Sequence, residues 1–333
     1  MVLFKLNDTD RVTVVIVNWN GKALLGECLE SLRKQVYSAF SIILVDNGSQ
    51  DGSVDFVKNT YPEIHVIALS QNIGFAAANN LALGTIQTDY VALLNNDAFP
   101  DTMWLNNLIT ALETHPEAGF VASKMLFYHQ PDVIDRAGDA FTKAGTALLR
   151  GRGAMANSYN EIGWVFGACA GAALYRMSML NDIGTFDKNF FLLYEDVDLS
   201  FRAQLKGYKC LFVPEAIVYH KGGHSIVHDS PVSVYYSHRN LEWVYIQNMP
   251  ARLIPRTIVP HLIYNIAALC YFIVRGRGID YLRAKKDAFK GLKPALKNRR
   301  QIQSSRTVDD SYIWGLLDRP SLMARVKWRR DKK

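Results

Sequence analysis

The chain has few cysteines, and none of them lies near another. Its four, Cys28, Cys169, Cys210 and Cys270, form no Cys-x-x-Cys pair. This spacing fits neither a zinc site nor a disulfide framework, so a reducing cytoplasm is the expected environment. The polar N-terminal segment, residues 1–11, also lacks the apolar core of a signal peptide.

Two glycine-rich phosphate-binding motifs are missing as well. No Gly-x-Gly-x-x-Gly follows the first predicted strand, residues 12–17, and no Gly-x-x-x-x-Gly-Lys-Ser/Thr occurs in the chain. The first absence argues against a dinucleotide-binding domain, and the second argues against a P-loop. A nucleotide would therefore have to be held by other residues.

Charge is unevenly distributed along the 333 residues. Residues 275–333 hold 18 Lys/Arg against 6 Asp/Glu, whereas residues 1–274 hold 20 against 25. A basic tail on a mildly acidic body predicts contact with an anionic surface, either nucleic acid or the cytoplasmic face of a membrane. We divide the chain into a catalytic domain, residues 1–250, and a basic helical tail, residues 251–333.

Two segments of the tail favour the membrane over nucleic acid. Residues 258–274 are mostly apolar but short for a spanning helix. A helix over residues 281–297 would have one mostly apolar face and one face rich in lysine and arginine, as in helices that lie on an anionic interface. The alternative is a pair of helices packed on the catalytic domain with a solvated basic face.

Strands and helices alternate through the first hundred residues. Four buried strands that each end in polar residues are predicted at 12–17, 41–45, 65–69 and 91–94. This pattern is typical of an α/β fold whose doubly wound parallel sheet binds a nucleotide-like ligand at the carboxyl ends of its strands. Residues 123–160 show little periodicity, so we expect loops and short strands over the site.

Six motifs occur in an order that is specific as a set. They are VTVVIVNWNG, VDNGSQDGS, NIGFAAANN, ALLNNDA, GTFDKNFFLLYEDVDLSFR and VPEAIVYH. Their order and spacing resemble family 2 glycosyltransferases, most of all bacterial rhamnosyltransferases of polysaccharide assembly. The resemblance covers residues 11–245 and implies a GT-A fold, in which helices flank a Rossmann-like, mostly parallel central sheet. A C-terminal helical extension would follow.

The resemblance implies a nucleotide-diphosphate sugar as donor, with dTDP-linked L-rhamnose the first expectation and UDP-linked hexoses the second. Asp46, at the end of the second strand, would accept the imide N–H of uracil or thymine. The amides expected to reach the base and ribose are those of Asn18, Asn20, Asn72 and Asn79. The alternative for Asp46 is a purely local role in the Asp-Asn-Gly-Ser turn.

A divalent cation is expected at the end of the fourth strand. Asn95-Asn96-Asp97 occupies the position of the family's Asp-x-Asp motif, with Asp97 as its only anionic ligand and both amides facing the donor. His220 matches the metal-binding histidine of some members. Mg²⁺ or Mn²⁺ would suit this ligand set. The alternatives are a simple Asn/Asp turn and a histidine satisfied at a strand end.

The acidic segment after residues 190–194 is expected to carry the chemistry. By resemblance, Asp196 is the general base that takes the acceptor's proton, and Glu195 binds the acceptor or orients Asp196. Asp198 would support the helix start. The alternative is that these acids merely favour the start of a helix through its dipole. The apolar run before them would bury a carboxylate and raise its pKa.

Cationic candidates for the diphosphate are Arg239, Lys221 and His224. The acceptor is expected to be a glycan or a lipid-linked oligosaccharide, and the protein to lie peripherally at the inner face of the cytoplasmic membrane. Two alternative functions fit the sequence less well. A sugar nucleotidyltransferase should carry a glycine-rich basic loop after the first strand, which is absent. A nucleic-acid-binding protein should interleave its cations with aromatics, whereas residues 283–300 interleave them mainly with aliphatics.

Overall fold

The computed structural model describes residues 10–222 and 229–319. The strands are β1 (Val12–Asn18), β2 (Phe40–Asp46), β3 (His65–Ala68), β4 (Tyr90–Asn95), β5 (Ala98–Pro100), β6 (Ala118–Phe127), β7 (Gln130–Ala137), β8 (Asp139–Phe141), β9 (Ala147–Leu149), β10 (Gly163–Val165), β11 (Ala172–Arg176) and β12 (Lys209–His220). The helices are α1 (Lys22–Arg33), α2 (Ser53–Thr60), α3 (Phe75–Leu83), α4 (Trp104–Thr114), α5 (Met177–Ile183), α6 (Glu195–Leu205), α7 (Pro231–Asn248), α8 (Ile254–Val274), α9 (Gly278–Lys290), α10 (Leu292–Ser304) and α11 (Asp310–Leu316).

One large sheet organises the domain, with the order β10-β12-β6-β11-β4-β1-β2-β3. Strands β3, β2, β1 and β4 are parallel to one another, and β6 and β12 run in the same direction. Strand β11 runs the opposite way between β4 and β6. The predicted α/β class, with a mostly parallel central sheet flanked by helices, is confirmed.

The central strands are apolar along their whole length because both faces of the sheet are covered. Successive residues of a strand point to opposite faces. Accordingly Val14 packs with Leu25 of α1 and Leu108 of α4, whereas Val15 packs with Ala76 of α3 and residues of α5 and α6. This double burial explains the near-continuous Val/Ile/Leu composition of β1, β2 and β4.

The strand register brings the polar strand ends together. Asn18 at the end of β1 lies opposite Asp46 at the end of β2, and Val17 lies opposite Asn95 at the end of β4. Because these strands are parallel, their carboxyl ends share one edge of the sheet, where α/β proteins bind ligands.

Residues 123–160 are more regular than the sequence indicates. Strand β6 is ten residues long and pairs with β7, β11 and β12. Its buried polar groups hide the strand pattern: Ser123 accepts from Trp104 Nε1 at 2.8 Å, and Lys124 Nζ donates to Asn160 at 2.8 Å. Strand β12 is continuous from Lys209 to His220 but irregular between Val213 and Ile217.

The C-terminal helices pack on the catalytic domain through one face and leave another exposed. Tyr281, Ala295 and Ile313 are buried against it. The predicted apolar face of residues 281–297 is therefore divided, because Leu282 and Phe289 point outward among the lysines and arginines. Helix α8 begins four residues earlier than the predicted segment. The stretch Ala251–Val274 is the one helical segment of the described residues that is long and apolar enough to cross a membrane.

Candidate active site

A buried asparagine joins the ends of the first, second and fourth strands. The Asn18 side chain donates to Asp46 Oδ2 at 2.9 Å and accepts from Asn96 Nδ2 at 2.7 Å. Asp46 Oδ1 accepts from the Ser49 backbone N–H at 2.9 Å. A Cβ atom at Gly21 would lie 2.1 Å from Asn96 Nδ2, so glycine is required there for this close approach. The strand ends are thereby fixed relative to one another before any ligand binds.

The side chains predicted to hold the nucleotide differ in their exposure. Asp46 is 1% exposed and both of its carboxylate oxygens contact the protein, so it organises the first two loops, and its contact with a base stays a prediction. Asn20 is exposed, and Asn72 accepts from Asn47 Nδ2 at 3.1 Å in the third loop. Asn79 is a correction: it is buried within α3 and donates to the Phe75 carbonyl one turn back, so it does not reach the ligand edge.

Asp97 and His220 lie together at the predicted metal position. Asp97 Oδ1 is 3.3 Å from His220 Nε2, and His220 Nδ1 is 2.7 Å from Asp135 Oδ2. The register of β5 against β12 produces this contact, because Ala98 pairs with His220. Asn95 and Asn96 precede Asp97 at the same strand end, so the structure brings the whole Asn-Asn-Asp segment and the histidine to one place.

The surroundings of His220 suit a metal ligand. Burial alone would lower the pKa of His220, but its hydrogen bonds to Asp135 and Asp97 outweigh burial and raise the pKa to about 9. In this state the ring faces Asp135 with Nδ1 and Asp97 with Nε2. A cation at Nε2 would have to displace the proton there, and the Asp135 carboxylate on Nδ1 would still orient the ring, as in many metal-binding histidines. Two ligands about 2.1 Å from one octahedral cation lie about 3 Å apart, which matches the spacing of Asp97 and His220.

Protein ligands beyond this pair are not evident. Within residues 10–222 and 229–319, no group of three or more His, Cys, Asp or Glu side chains is arranged to hold a metal ion. Asp97 and His220 fit a divalent cation whose remaining positions are taken by donor oxygens and water, a common arrangement for Mg²⁺ at phosphates.

The three acids of the predicted catalytic segment have different environments. Helix α6 begins at Glu195, so all three acids lie in its first turn. Asp198 is fully buried between Arg202 Nε at 2.8 Å and Asn248 Nδ2 at 2.7 Å, which is a structural role. Glu195 is buried, and its Oε2 atom has no hydrogen-bond partner among the described residues. Asp196 is the most exposed of the three and accepts from the Ala170 and Val197 backbone N–H groups.

A set of charged residues from β7, from the start of β8 and from the turn after β9 links the two halves of the site. Arg136 NH1 lies 3.8 Å from Asp196 Oδ2 and 3.4 Å from Asp139 Oδ1. Its neighbour Asp135 contacts His220 and also lies 3.1 Å from Arg152 NH1. These residues were missed in the sequence because they fall in the segment without clear periodicity. The sequence feature that could have indicated them is the charged group Asp135-Arg136…Asp139 between apolar residues.

The raised pKa expected near the apolar run belongs to Glu195. Burial and then the charge of Asp196 raise the pKa of Glu195 from 4.5 to about 8. The folded protein therefore keeps this proton up to about pH 8, whereas the unfolded chain releases it near pH 4.5. Raising the pH between these values consequently removes stability from the folded state.

The Glu195→Gln variant should keep its stability as the pH rises, because the glutamine side chain stays neutral. The unfolding free energy of the variant minus that of the parent protein should rise by roughly 2–4 kcal/mol between pH 5 and pH 8. Urea unfolding at a series of pH values measures this difference. Parallel pH curves for the two proteins would contradict the assignment.

The cations proposed for the diphosphate make other contacts. Arg239 NH2 donates to the carbonyls of Asn189 and Phe190 at 3.0 and 2.8 Å, so these bonds tie it to the segment before α6. Lys221 Nζ donates to Glu27 at 2.8 Å and lies over the ring of Phe99. His224 lies outside the described residues. A diphosphate contact of Arg239 is therefore not supported by its position.

The polar strand ends of the sheet carry a pair of metal-compatible ligands and, nearby, the partly exposed carboxylate of Asp196. This arrangement is compatible with a transferase that acts on a nucleotide-linked substrate. The chain belongs to glycosyl transferase family 2, whose model matches residues 13–184. Because the family is one of glycosyltransferases, this assignment favours sugar transfer over nucleotidyl transfer and nucleic-acid binding.

Similar proteins agree with this assignment. An N-acetylglucosaminyl-diphospho-decaprenol L-rhamnosyltransferase of Mycobacterium tuberculosis is 26% identical over 72% of this chain and 84% of its own. The mannosyltransferase of Pyrobaculum calidifontis, solved with GDP-Man and Mn²⁺, has a TM-score of 0.55 at 18% identity and covers 98% of this chain and 89% of its own. Staphylococcus aureus TarS with UDP has a TM-score of 0.52 at 18% identity, covering 92% of each chain. The fold is that of the GT-A glycosyltransferases.

Proposed function

We propose that this protein is an inverting glycosyltransferase that moves L-rhamnose from a dTDP-linked donor to a hydroxyl of a lipid-linked glycan. The donor sugar and the lipid-linked acceptor are suggested by the mycobacterial relative, which is named an N-acetylglucosaminyl-diphospho-decaprenol L-rhamnosyltransferase. UDP-linked hexoses are the second choice of donor. A lipid-linked acceptor would also give the enzyme a reason to dock on a membrane.

Asp196 is proposed to remove the proton from the acceptor hydroxyl as that oxygen attacks the anomeric carbon. A single displacement needs one such base and inverts the configuration. Asp196 suits this role because its carboxylate is accessible, unlike that of Asp198, and two backbone N–H groups fix its orientation. Arg136 NH1 lies 3.8 Å from Asp196 Oδ2 and helps to orient this carboxylate. The buried Glu195 is proposed to bind the acceptor or to orient Asp196.

Asp97 and His220 are proposed to hold Mn²⁺ or Mg²⁺ at the donor diphosphate. Asp135 orients His220, and Asn95, Asn96 and the β1 loop line the donor side of this position. When bound, the cation supplies Lewis-acid stabilisation of the departing diphosphate.

One observation carries the proposal: the metal-compatible pair and the base are connected by adjacent residues of a single strand, Asp135 to His220 and Arg136 to Asp196. The test is incubation of the protein and Mn²⁺ with a panel of nucleotide sugars, followed by measurement of nucleoside diphosphate release. We expect release from a dTDP- or UDP-linked sugar. Absence of release from every sugar, together with no thermal shift by dTDP or UDP, would overturn the proposal.

We also propose that α8 and α9 rest on the anionic inner face of the cytoplasmic membrane. One side of α8 is buried on the domain at Thr257, His261 and Phe272. Its other side exposes an apolar stripe made of Val259, Leu262, Ile263, Ile266, Ile273 and Val274. On α9, Leu282 and Phe289 are exposed beside basic residues. A helix half buried in protein with an apolar outer face and a basic rim suits a position in the interface plane.

Ile266→Asp is expected to reduce binding to vesicles with anionic lipid roughly tenfold or more. The substitution removes an apolar contact with the lipid and adds a negative charge that the anionic headgroups repel. Flotation of the full chain measures the bound fraction. Val36→Asp is a matched control, since Val36 is 64% and Ile266 is 65% exposed. Equal binding by both variants would refute the docking surface. Deleting the tail is a poorer test because Tyr281 and Ile313 are buried against the domain.

A further inference from the structure

The segment that leads into α6 has an unusual backbone. Phe191, Leu193 and Tyr194 have φ angles of 65°, 65° and 72°, and none of them is glycine. Residues with a Cβ atom rarely adopt positive φ, so such a segment persists only where surrounding contacts hold it. Because α6 begins at the next residue, these angles set the direction in which Glu195 and Asp196 leave the chain.

A single buried asparagine on α7 contacts most of this segment. The Asn240 amide nitrogen lies 3.0, 2.9 and 2.6 Å from the carbonyl oxygens of Phe190, Leu192 and Leu193, so its two N–H groups are shared among three acceptors. Asn240 is fully buried, so no solvent competes for these bonds. Replacing this amide should destabilise the segment, because the three carbonyl groups would stay buried without a hydrogen-bond donor.

Arg239 completes the contact and fixes Asn240. Its Nε atom donates to Asn240 Oδ1 at 2.9 Å, and its NH2 group reaches the Asn189 and Phe190 carbonyls. The guanidinium lies 4.4 Å from the ring centroid of Trp243, which itself donates to the Ala288 carbonyl of α9. Arg239 and Asn240 therefore lie on helix α7, which α9 of the C-terminal region contacts and stabilises.

The same segment also touches the nucleotide side of the sheet. The Phe191 carbonyl accepts from the Ala76 N–H at 3.2 Å, and the Phe191 ring stacks on Tyr236 of α7 at 5.3 Å. A Cβ atom at Gly74 would lie 2.5 Å from the Phe191 ring, so glycine allows this contact. The segment thus contacts both α7 and the start of α3, and it directly precedes Glu195 and Asp196 in the chain.

We propose that Arg239 and Asn240 are positioning residues that hold residues 190–194 in their strained conformation and thereby aim the carboxylates of Glu195 and Asp196. This inference rests on the proposed function for its catalytic part only. Substitution at either position should lower kcat, because a displaced base loses reactive geometry. Binding of the nucleotide should change little, since the hydrogen bonds of both side chains go to the segment before α6.

The test compares Asn240→Ala and Arg239→Lys with Gln303→Ala. Gln303 is a matched control because its amide also donates to backbone carbonyls of α7, those of Gln247 and Asn248, at the far end of the helix. Arg239→Lys keeps the charge but loses the forked donors, and serves if Asn240→Ala fails to fold. Amide hydrogen exchange of residues 187–196 is measured on the full chain without ligand, so this readout does not depend on any donor.

We expect exchange in residues 187–196 to become at least about tenfold faster in Asn240→Ala or Arg239→Lys, and to stay at the parent level in Gln303→Ala. With a donor that the parent protein turns over, kcat should fall by about tenfold or more while the Kd for dTDP or UDP changes by less than about threefold. Unchanged exchange in both variants overturns the inference, as does an equal loss of nucleotide affinity and kcat. Failure of every donor with the parent protein overturns the proposed function alone, since exchange still decides the positioning role.

Discussion

Asp196→Asn is expected to lower turnover by roughly 10²–10⁴-fold while the affinity for the donor nucleotide stays close to that of the parent protein. The amide has nearly the same shape but accepts no proton, so attack by the acceptor loses its base. The fold should tolerate the change, because the asparagine oxygen still accepts from the Val197 N–H that now contacts Asp196 Oδ1 at 2.8 Å. Steady-state kinetics and calorimetric titration with dTDP or UDP measure the two quantities.

A matched control for this variant is Asp182→Asn. Asp182 is a more exposed acid on α5 that pairs with Lys206 at 3.2 Å, so its loss removes one negative charge from the surface. We expect parent-level turnover for it. Parent-level turnover in Asp196→Asn would instead remove Asp196 from the role of base and leave Glu195 as the next acid to examine.

Asp97→Asn is expected to weaken Mn²⁺ binding tenfold or more and to lower turnover in parallel. Asp97 is the only anion of the Asn-Asn-Asp segment, so its replacement leaves His220 as the remaining protein ligand of the proposed pair. A neutral amide holds a hard divalent cation weakly. Electron paramagnetic resonance of free Mn²⁺ in the presence of dTDP gives the affinity directly, apart from any activity.

Asp132→Asn controls for the loss of one charge near the site, because Asp132 is exposed on β7, three residues before Asp135. Its Mn²⁺ affinity should equal that of the parent protein. If Asp97→Asn keeps both its Mn²⁺ affinity and its turnover, the metal position lies elsewhere or the transfer proceeds without a metal held there.

Local patterns in the sequence predict the core of the fold well. The runs that became β1, β2 and β4 are apolar because neighbouring strands and two layers of helices bury them, and this composition is visible without coordinates. Strand β6 escaped prediction for the opposite reason. Its buried Ser123 and Lys124 find partners far along the chain, in Trp104 and Asn160, so its local composition does not look like a strand.

The sequence predicts some residues of the site better than others. It indicates Asp97 and His220 as ligands of one cation, and the structure places them 3.3 Å apart. Asn79 is grouped by sequence with the amides of the third loop, yet it lies within α3, where it is buried and donates to the Phe75 carbonyl. The packing of α6 decides that Asp196 is partly exposed and that Glu195 is buried with a raised pKa.

By itself, the sequence determined the α/β class, the polar strand ends and the family, because these follow from short-range periodicity and from motifs in a fixed order. The tertiary structure alone decided that Asp135 meets His220, 85 residues away, and that Arg239 and Asn240 hold the segment before Asp196. Such contacts depend on the sheet order that sets β7 beside β6 and β6 beside β12, and on the packing of α7 against the acid segment. No local pattern in the chain encodes that order, since it results from the burial of all the strands and helices together.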